Sequence, residues 1–297
     1  DKLNGSSFWQ SSSWAGTAAA GIEDFLVEEG GRLGEVYGYK TDGFYTADDF
    51  TFDAEKGTYA LKAGVNDCSS LIGGKVYPGS IKLKANEDGE YKKERLGNTV
   101  PTVSGGFGLN ARWKGFDFTA FFNYSLGNKI VNATKLGSSF YSGSSKNWNI
   151  NDHFTSANRY SWIDPSTGTN LLSSASIKAN GEAWTINRLN EVNTGSSIWN
   201  PAAATVMPLV DWAVEDGSFL RVNNITIGYT LPKLFVSKLN IQNIRIYVTG
   251  YNLHCFTKYS GTDPEVDCCT STPMTPGIDY AAYPKSRSFV GGINVTF

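Results

Sequence analysis

The stretch SFVGGINVTF, from Ser288 to Phe297, sets the reading of the fold, because its side chains alternate with a period of two. Phe289, Ile293, Val295 and Phe297 share one face, with Gly291 between them, and Gly292, Asn294 and Thr296 hold the other. A strand of this kind ending on an aromatic suits a membrane β-barrel, where one face meets lipid and the other a polar lumen. The pattern recurs upstream. In 219–231, Ile225, Ile227, Tyr229 and Leu231 oppose Asn224, Thr226, Gly228 and Thr230. In 242–253, Ile244, Ile246 and Val248 oppose Arg245, Tyr247, Thr249 and Tyr251. An arginine facing lipid at mid-depth costs about 2–4 kcal/mol, which assigns Arg245 to the polar side. In 103–113, Val103, Phe107, Leu109, Ala111 and Trp113 oppose Asn110 and Arg112. Lys114-Gly115 then reverses the chain, and Phe116, Phe118, Ala120, Phe122 and Tyr124 follow on one face, although Phe121 makes the other less polar. Glu35 to Tyr45 reads as a further strand interrupted by Gly38 and Gly43, and residues 12–24 as one more.

The connections between these strands are unequal. Those at Lys114-Gly115 and 232–240 are short; those across 46–102, 126–217 and 255–286 are long. Bacterial barrels have short periplasmic turns and long extracellular loops, and the parity of the strands puts both short turns at the end where the chain finishes. A soluble sandwich or propeller would leave that asymmetry unexplained.

The composition agrees with this reading. Only 18% of residues are charged while 13% are aromatic and 32 are Gly, which suits β structure and excludes disorder. The net charge of -2 and the absence of a basic patch exclude nucleic acid as a partner; the run Lys92-Lys93-Glu94-Arg95 is mixed in sign. No apolar run has the length of a membrane-crossing helix. The opening Asp1-Lys2-Leu3-Asn4 lacks a signal peptide and reads as an internal start, so a fragment or processed piece is expected. Cys68, Cys255, Cys268 and Cys269 have no zinc spacing; a disulfide from the adjacent pair to Cys68 or Cys255, or free thiols, both remain open.

Six segments carry a resemblance: VYGYKTDGFY (36–45), YPGSIKLKANEDGE (77–90), GGFGLNARWKGFDFTAFFNYSLGNKIVN (105–132), DGSFLRVNNITIGYTLP (216–232), RIYVTGYNLHCFTKYSGTDPEV (245–266) and DYAAYPKSRSFVGGINVTF (279–297). In that order they resemble the C-terminal part of SusC/RagA-type TonB-dependent transporters of the Bacteroidetes. Residues 1–30 and 133–210 match least. The resemblance implies an all-β fold: residues 1–297 as the C-terminal part of a 22-stranded antiparallel transmembrane β-barrel with long extracellular loops. Plug, TonB-contacting segment and signal peptide are expected to lie outside this sequence. It further implies an outer-membrane location and TonB-dependent import of a large nutrient, with a glycan oligomer ahead of a peptide. The implied partners are a SusD-like surface lipoprotein, the remaining barrel and plug, TonB acting through the plug, and outer-membrane lipid. No cofactor is expected. Relatives often carry a calcium-like Asp-x-Asn-x-Asp-Gly run in the second segment, but Lys84 stands at its first acidic position here, so Asn86, Asp88 and Gly89 read as a plain turn.

For substrate binding, aromatics among polar loop residues are the candidates: Trp148, Tyr160, Trp162, Trp184 and Trp199, with Trp212 beside them. Flat rings stack on sugars, but long loops also need aromatic clusters to order them. Tyr247 and Tyr251 point by alternation to the lumen, where plug contact competes with ligand contact. His153 and His254 have no metal partner at motif spacing, and no G-x-S-x-G, H-E-x-x-H or Walker pattern occurs. Transport therefore competes with a secreted glycan-binding module, which would not explain the strand parity, and with a surface hydrolase, which lacks a catalytic constellation.

Overall fold

The structure is a computed structural model that describes residues 5–11, 23–141, 149–236, 241–268 and 273–297. Its strands, in chain order, are β1 (Ser7–Ser11), β2 (Glu23–Glu28), β3 (Glu35–Gly38), β4 (Thr41–Phe44), β5 (Phe50–Asp53), β6 (Thr58–Leu61), β7 (Ile81–Leu83) and β8 (Glu94–Asn98). There follow β9 (Val103–Trp113), β10 (Phe116–Leu126), β11 (Lys129–Asn132), β12 (Val214–Asp216), β13 (Phe219–Thr230), β14 (Asn243–Thr257), β15 (Ile278–Asp279) and β16 (Ser288–Thr296). Three helices matter below: α1 (Ser69–Ile72), α2 (Ala133–Gly137) and α3 (Ser174–Val192).

The long strands form one antiparallel sheet in the order β16-β14-β13-β10-β9. Its register turns the alternation into rows. Ala111, Phe118, Ile227, Val248 and Gly291 line up across the sheet on one face, and Trp113, Phe116, Tyr229, Ile246 and Ile293 form the adjacent row on that face. Asn110, Thr119, Thr226 and Thr249 line up on the other. The apolar face looks outward: Trp113 and Phe289 are each 69% exposed. Lys114 and Gly115, at φ 46° and 89°, make a tight left-handed reversal whose twist matches the flanking strands. A bulge in β14 sets Asn252 and Leu253 against the single residue between Val222 and Asn224 of β13; Asn252 has φ 50°, a conformation Asn tolerates, and pairing resumes on either side.

The register also places the short connections at one end of this sheet. Lys114-Gly115 lies there, as do the β13–β14 connection and the Thr296 end of β16. At the opposite end β10, β13, β14 and β16 lead into long segments, and those segments are not structureless. They fold into a lobe with a core of its own, in which Tyr45, Ile72, Ile81, Leu136, Leu171 and Leu189 are fully buried. Helix α3 docks on β5, where the Glu182 carboxylate accepts a hydrogen bond from Phe52 N at 2.9 Å. Ser173 caps its start, and Gly181 breaks it at φ 77°. Arg188 holds Asp164 by two 2.7 Å hydrogen bonds, the strongest geometry for such a pair.

Two expectations are corrected. The first is the fold as the C-terminal part of a 22-stranded antiparallel transmembrane β-barrel. The described residues fold as several open sheets, the others ordered β1-β2-β3-β8, β12-β11-β15, β4-β7 and β5-β6, and none of these closes on itself. Among the described residues, β9 and β16 bound the long-stranded sheet without a further strand partner. Period two fixes which side chains share a face; it does not fix how many strands join or whether they close. The second is the single strand over Glu35–Tyr45. It is two short strands, β3 and β4, that pair in different sheets. Residues 12–22 of the further expected strand lie outside the described residues, and β2 starts at Glu23.

Candidate functional site

The polar face of the long-stranded sheet carries charges in matched pairs. Arg245 Nε and Nη2 donate to the two carboxylate oxygens of Asp117 at 2.9 and 2.5 Å, and the guanidinium lies 5.0 Å from the Tyr247 ring centroid. Tyr247 is half-buried because its ring lies over Gly292, whose missing side chain leaves the space. One row away, the Thr226 and Thr249 hydroxyls meet at 2.8 Å, and Thr119 donates to Asn110 at 3.0 Å. Tyr251 and Phe121 rise from the same face, each about two-fifths exposed.

Where the sheet enters the lobe, the charges are buried. Arg221 of β13 contacts Asp263 and Glu265, both at 2.5 Å, and only 4% of Arg221 is exposed. Glu265 also takes Lys285 at 2.8 Å and the Asn123 amide at 3.2 Å. Asp263, Glu265 and Lys285 are thereby tied to the sheet. Beneath it lies a cavity of about 420 Å³ walled by Asn123, Ser125 and Asn128 on one side and Pro264, Glu265 and Asp267 on the other. Sequence reasoning missed this cluster. The signal was an arginine, Arg221, inside a strand that otherwise alternates.

Behind it, Tyr259 donates to Asp279 at 2.6 Å, and Ser260 and Lys135 converge on Glu215. Burial, reinforced by Asp263 and Glu215, raises the Asp279 pKa above the usual carboxylate value despite the Tyr259 hydrogen bond. Burial also opposes ionisation of Glu215, but hydrogen bonds from Ser260 and the charge of Lys135 outweigh it, so its pKa is lowered.

The aromatic candidates scatter. Tyr160 and Trp199 are 2% and 4% exposed. Trp199 stacks edge-on with Trp212 at 5.0 Å and donates to Ser139 O, while Tyr160 packs edge-on with Phe44. Trp162 is half-buried, its Nε1 bonded to Pro78 O at 2.6 Å. These three order the lobe. Trp184, on α3, is exposed, as is Tyr251 on the sheet; Trp148 lies outside the described residues. Nothing brings Trp184 and Tyr251 to one site. His153 sits edge-on to Trp212, and His254 edge-on to Phe256. Cys68 is buried beneath the Tyr45 hydroxyl, and it and Cys255 are free thiols; Cys269 lies outside the described residues. The Asn86–Glu90 segment is a turn in which Gly89 has φ 79° and Asn86 Oδ1 accepts from Asp88 N and Glu90 N. Among the described residues, no group of three His, Cys, Asp or Glu side chains could hold a metal, and no helix is long and apolar enough to cross a membrane.

No family model matches the chain. Among curated proteins it is similar to TonB-dependent receptor P3 of Formosa agariphila, at 30% identity over 277 residues, which is 92% of this chain and 23% of that protein. It is similar also to TonB-dependent receptor P39 of the same organism, at 26% identity over 92% of the chain. A shorter match, 34% over 89 residues, is to TonB-dependent receptor SusC of Bacteroides thetaiotaomicron. Among solved structures, the RagAB peptide importer in its closed-closed state superposes with a TM-score of 0.56 at 22% identity, over 92% of this chain and 24% of that one. The chain spans about a quarter of the length of these near-full matches. These relatives are receptors and importers rather than enzymes, and the match covers nearly all of the chain: the chain belongs to the SusC/RagA family of TonB-dependent outer-membrane transporters.

Proposed function

We propose that the chain is part of a receptor that imports a large nutrient across the outer membrane, driven through TonB and assisted by a SusD-like surface lipoprotein. The observation that carries this reading is similarity to a TonB-dependent receptor over 92% of the chain. The outward apolar rows of the long-stranded sheet support a setting against lipid, because in water they would form a large uncovered patch. A depth-sensitive label at Ile227 is expected to report hydrocarbon and one at Thr226 a polar environment. Equal aqueous exposure at both positions would defeat that assignment.

For the cargo, a peptide is favoured over a glycan. The glycan reading rests mainly on family analogy, and of the loop aromatics offered as its contacts Tyr160, Trp162 and Trp199 are engaged in packing. The similar solved structures are peptide importers, and the cavity under 263–267 offers amide and hydroxyl groups suited to a peptide backbone. Among the described candidates, Trp184 and Tyr251 are exposed, and a glycan would be met by them. Uptake of a fluorescent peptide by cells carrying the complete receptor should stop when the proton gradient is collapsed or the receptor deleted. Uptake indifferent to both treatments refutes the import reading. Binding of a neutral oligosaccharide with no binding of peptide returns the cargo to a glycan.

A further inference from the structure

A second cavity, of about 310 Å³, opens where β3 leaves the four-stranded sheet and meets the segment 206–209. Its geometry follows from local sequence. Tyr37 and Tyr39, two apart on an extended chain, project to one side. Gly38 between them lets the main chain of Leu209 approach: a Cβ there would stand 2.5 Å from Leu209 O. Through that gap Tyr39 N donates to Leu209 O at 2.8 Å, and Asp211 N returns a bond to Tyr39 O at 3.0 Å. Asp211 then takes the Thr41 amide and hydroxyl at 3.0 and 2.9 Å. The wall is thus held by four hydrogen bonds, independent of anything that enters the cavity.

The chemistry inside is divided. Leu71, Val206 and Pro208 supply apolar surface, while the two tyrosines supply hydroxyls that bond to no described residue. Burial raises the pKa of both phenols, at Tyr37 with help from Glu35 and Glu28, so both stay protonated and able to donate. The rim carries one charge of each sign. Lys93 lies 4.9 Å from the Trp9 ring centroid and bonds to the main-chain oxygen of Glu23, whose carboxylate points free. The two charges sum to zero, so neither an anion nor a cation gains a net attraction there. A neutral group with an apolar body and a polar backbone satisfies every part.

We propose that this cavity seats an apolar side chain presented on a peptide backbone, with the Tyr37 and Tyr39 hydroxyls donating to backbone carbonyls. It rests on the peptide reading of the cargo and adds a preference: apolar residues over acidic or basic ones. The test uses the complete receptor with its lipoprotein, purified in detergent, and calorimetry with Gly-Leu-Gly-Leu, Gly-Asp-Gly-Asp and a neutral oligosaccharide as probes. Wild-type receptor should prefer the leucine peptide. Leu71→Asp should remove that preference, and the double substitution Tyr37→Phe/Tyr39→Phe, which keeps both rings and the fold, should weaken leucine-peptide binding about tenfold. Peptides that bind while both variants keep wild-type affinity and preference overturn the seat but leave the peptide cargo intact. A receptor that binds only the oligosaccharide overturns both.

Discussion

The long-stranded sheet and the lobe above it solve opposite problems with the same residues. In the lobe, Leu171, Ile177 and Leu189 are fully buried, together with polar groups such as Asp164 and Thr185 that find partners inside. In the sheet, every position of β9 is exposed, and Leu109, Trp113, Ile227, Ile293 and Phe289 look away from the protein. The sheet keeps its pairs inside: Arg245 with Asp117 on the polar face, and Arg221 with Asp263 and Glu265 at the junction. The difference teaches that apolar content does not say where a core is. It says only that a face avoids water, and the alternative to water can be another part of the chain or another solvent.

The junction is where this comparison breaks most easily. Arg221→Met leaves Asp263 as a buried carboxylate without its counter-charge, and Glu265 with Lys285 alone, and should cost about 3–5 kcal/mol in denaturant unfolding of the complete receptor. Early proteolysis within 263–285 is expected to accompany it; an unchanged midpoint would mean that the lobe and sheet do not depend on this tie. The next largest effect separates the two regions. Leu189→Ala opens a void in the lobe core and should cost about 2–5 kcal/mol. Ile227→Ala removes a comparable side chain from the outward face and should shift stability in lipid by less than about 1 kcal/mol. Similar losses at both positions would erase the distinction drawn here. Ser173→Ala, which removes the cap of α3, should lower lobe stability by about 1 kcal/mol, read by hydrogen exchange in 174–180. The smallest effect is a pH dependence. Hydrogen bonds from Arg188, then Ser166, hold the Asp164 carboxyl well below its usual range. Its contribution is therefore present above the unfolded value of 3.8 and lost as pH falls further, so Asp164→Asn should flatten the acid limb of lobe unfolding. Parallel acid limbs in the two proteins would remove Asp164 from the account.

The sheet was legible in sequence because its determinant is local. Alternation in 103–113, 116–124, 219–231 and 288–297 gave strands within a few residues of β9, β10, β13 and β16, and Arg245 was assigned to the face where it pairs with Asp117. The lobe was not legible because its determinants are distant. Trp162 is fixed by Pro78, 84 residues away, and Glu182 by Phe52, 130 residues away. Helix α3 was missed because Asn180-Gly181 interrupts it and its buried face mixes Ser176 and Thr185 with Ile177 and Leu189, so no continuous apolar stripe forms. The surroundings of Tyr160 and Trp199 were illegible for the same reason. Nothing within a few residues of Tyr160 or Trp199 distinguishes a ring buried against Phe44 or Trp212 from one left open to a ligand.

The Lys114-Gly115 reversal also has a consequence in time. It brings Trp113 opposite Phe116, so the β9–β10 hairpin can register as soon as some two dozen residues exist, on the scale of about 1–10 μs for an isolated hairpin. The Thr41–Asp211 contact has to close a loop of 170 residues, and contacts so far apart come late because their chain entropy is lost before any neighbour rewards it. Pulse-labelled amides in 104–125 should therefore be protected before that of Asp211. The molecule is expected to assemble from its tightest turn outward, so that a fault at Lys114-Gly115 delays everything after it, whereas a fault at Asp211 arrests only the finish.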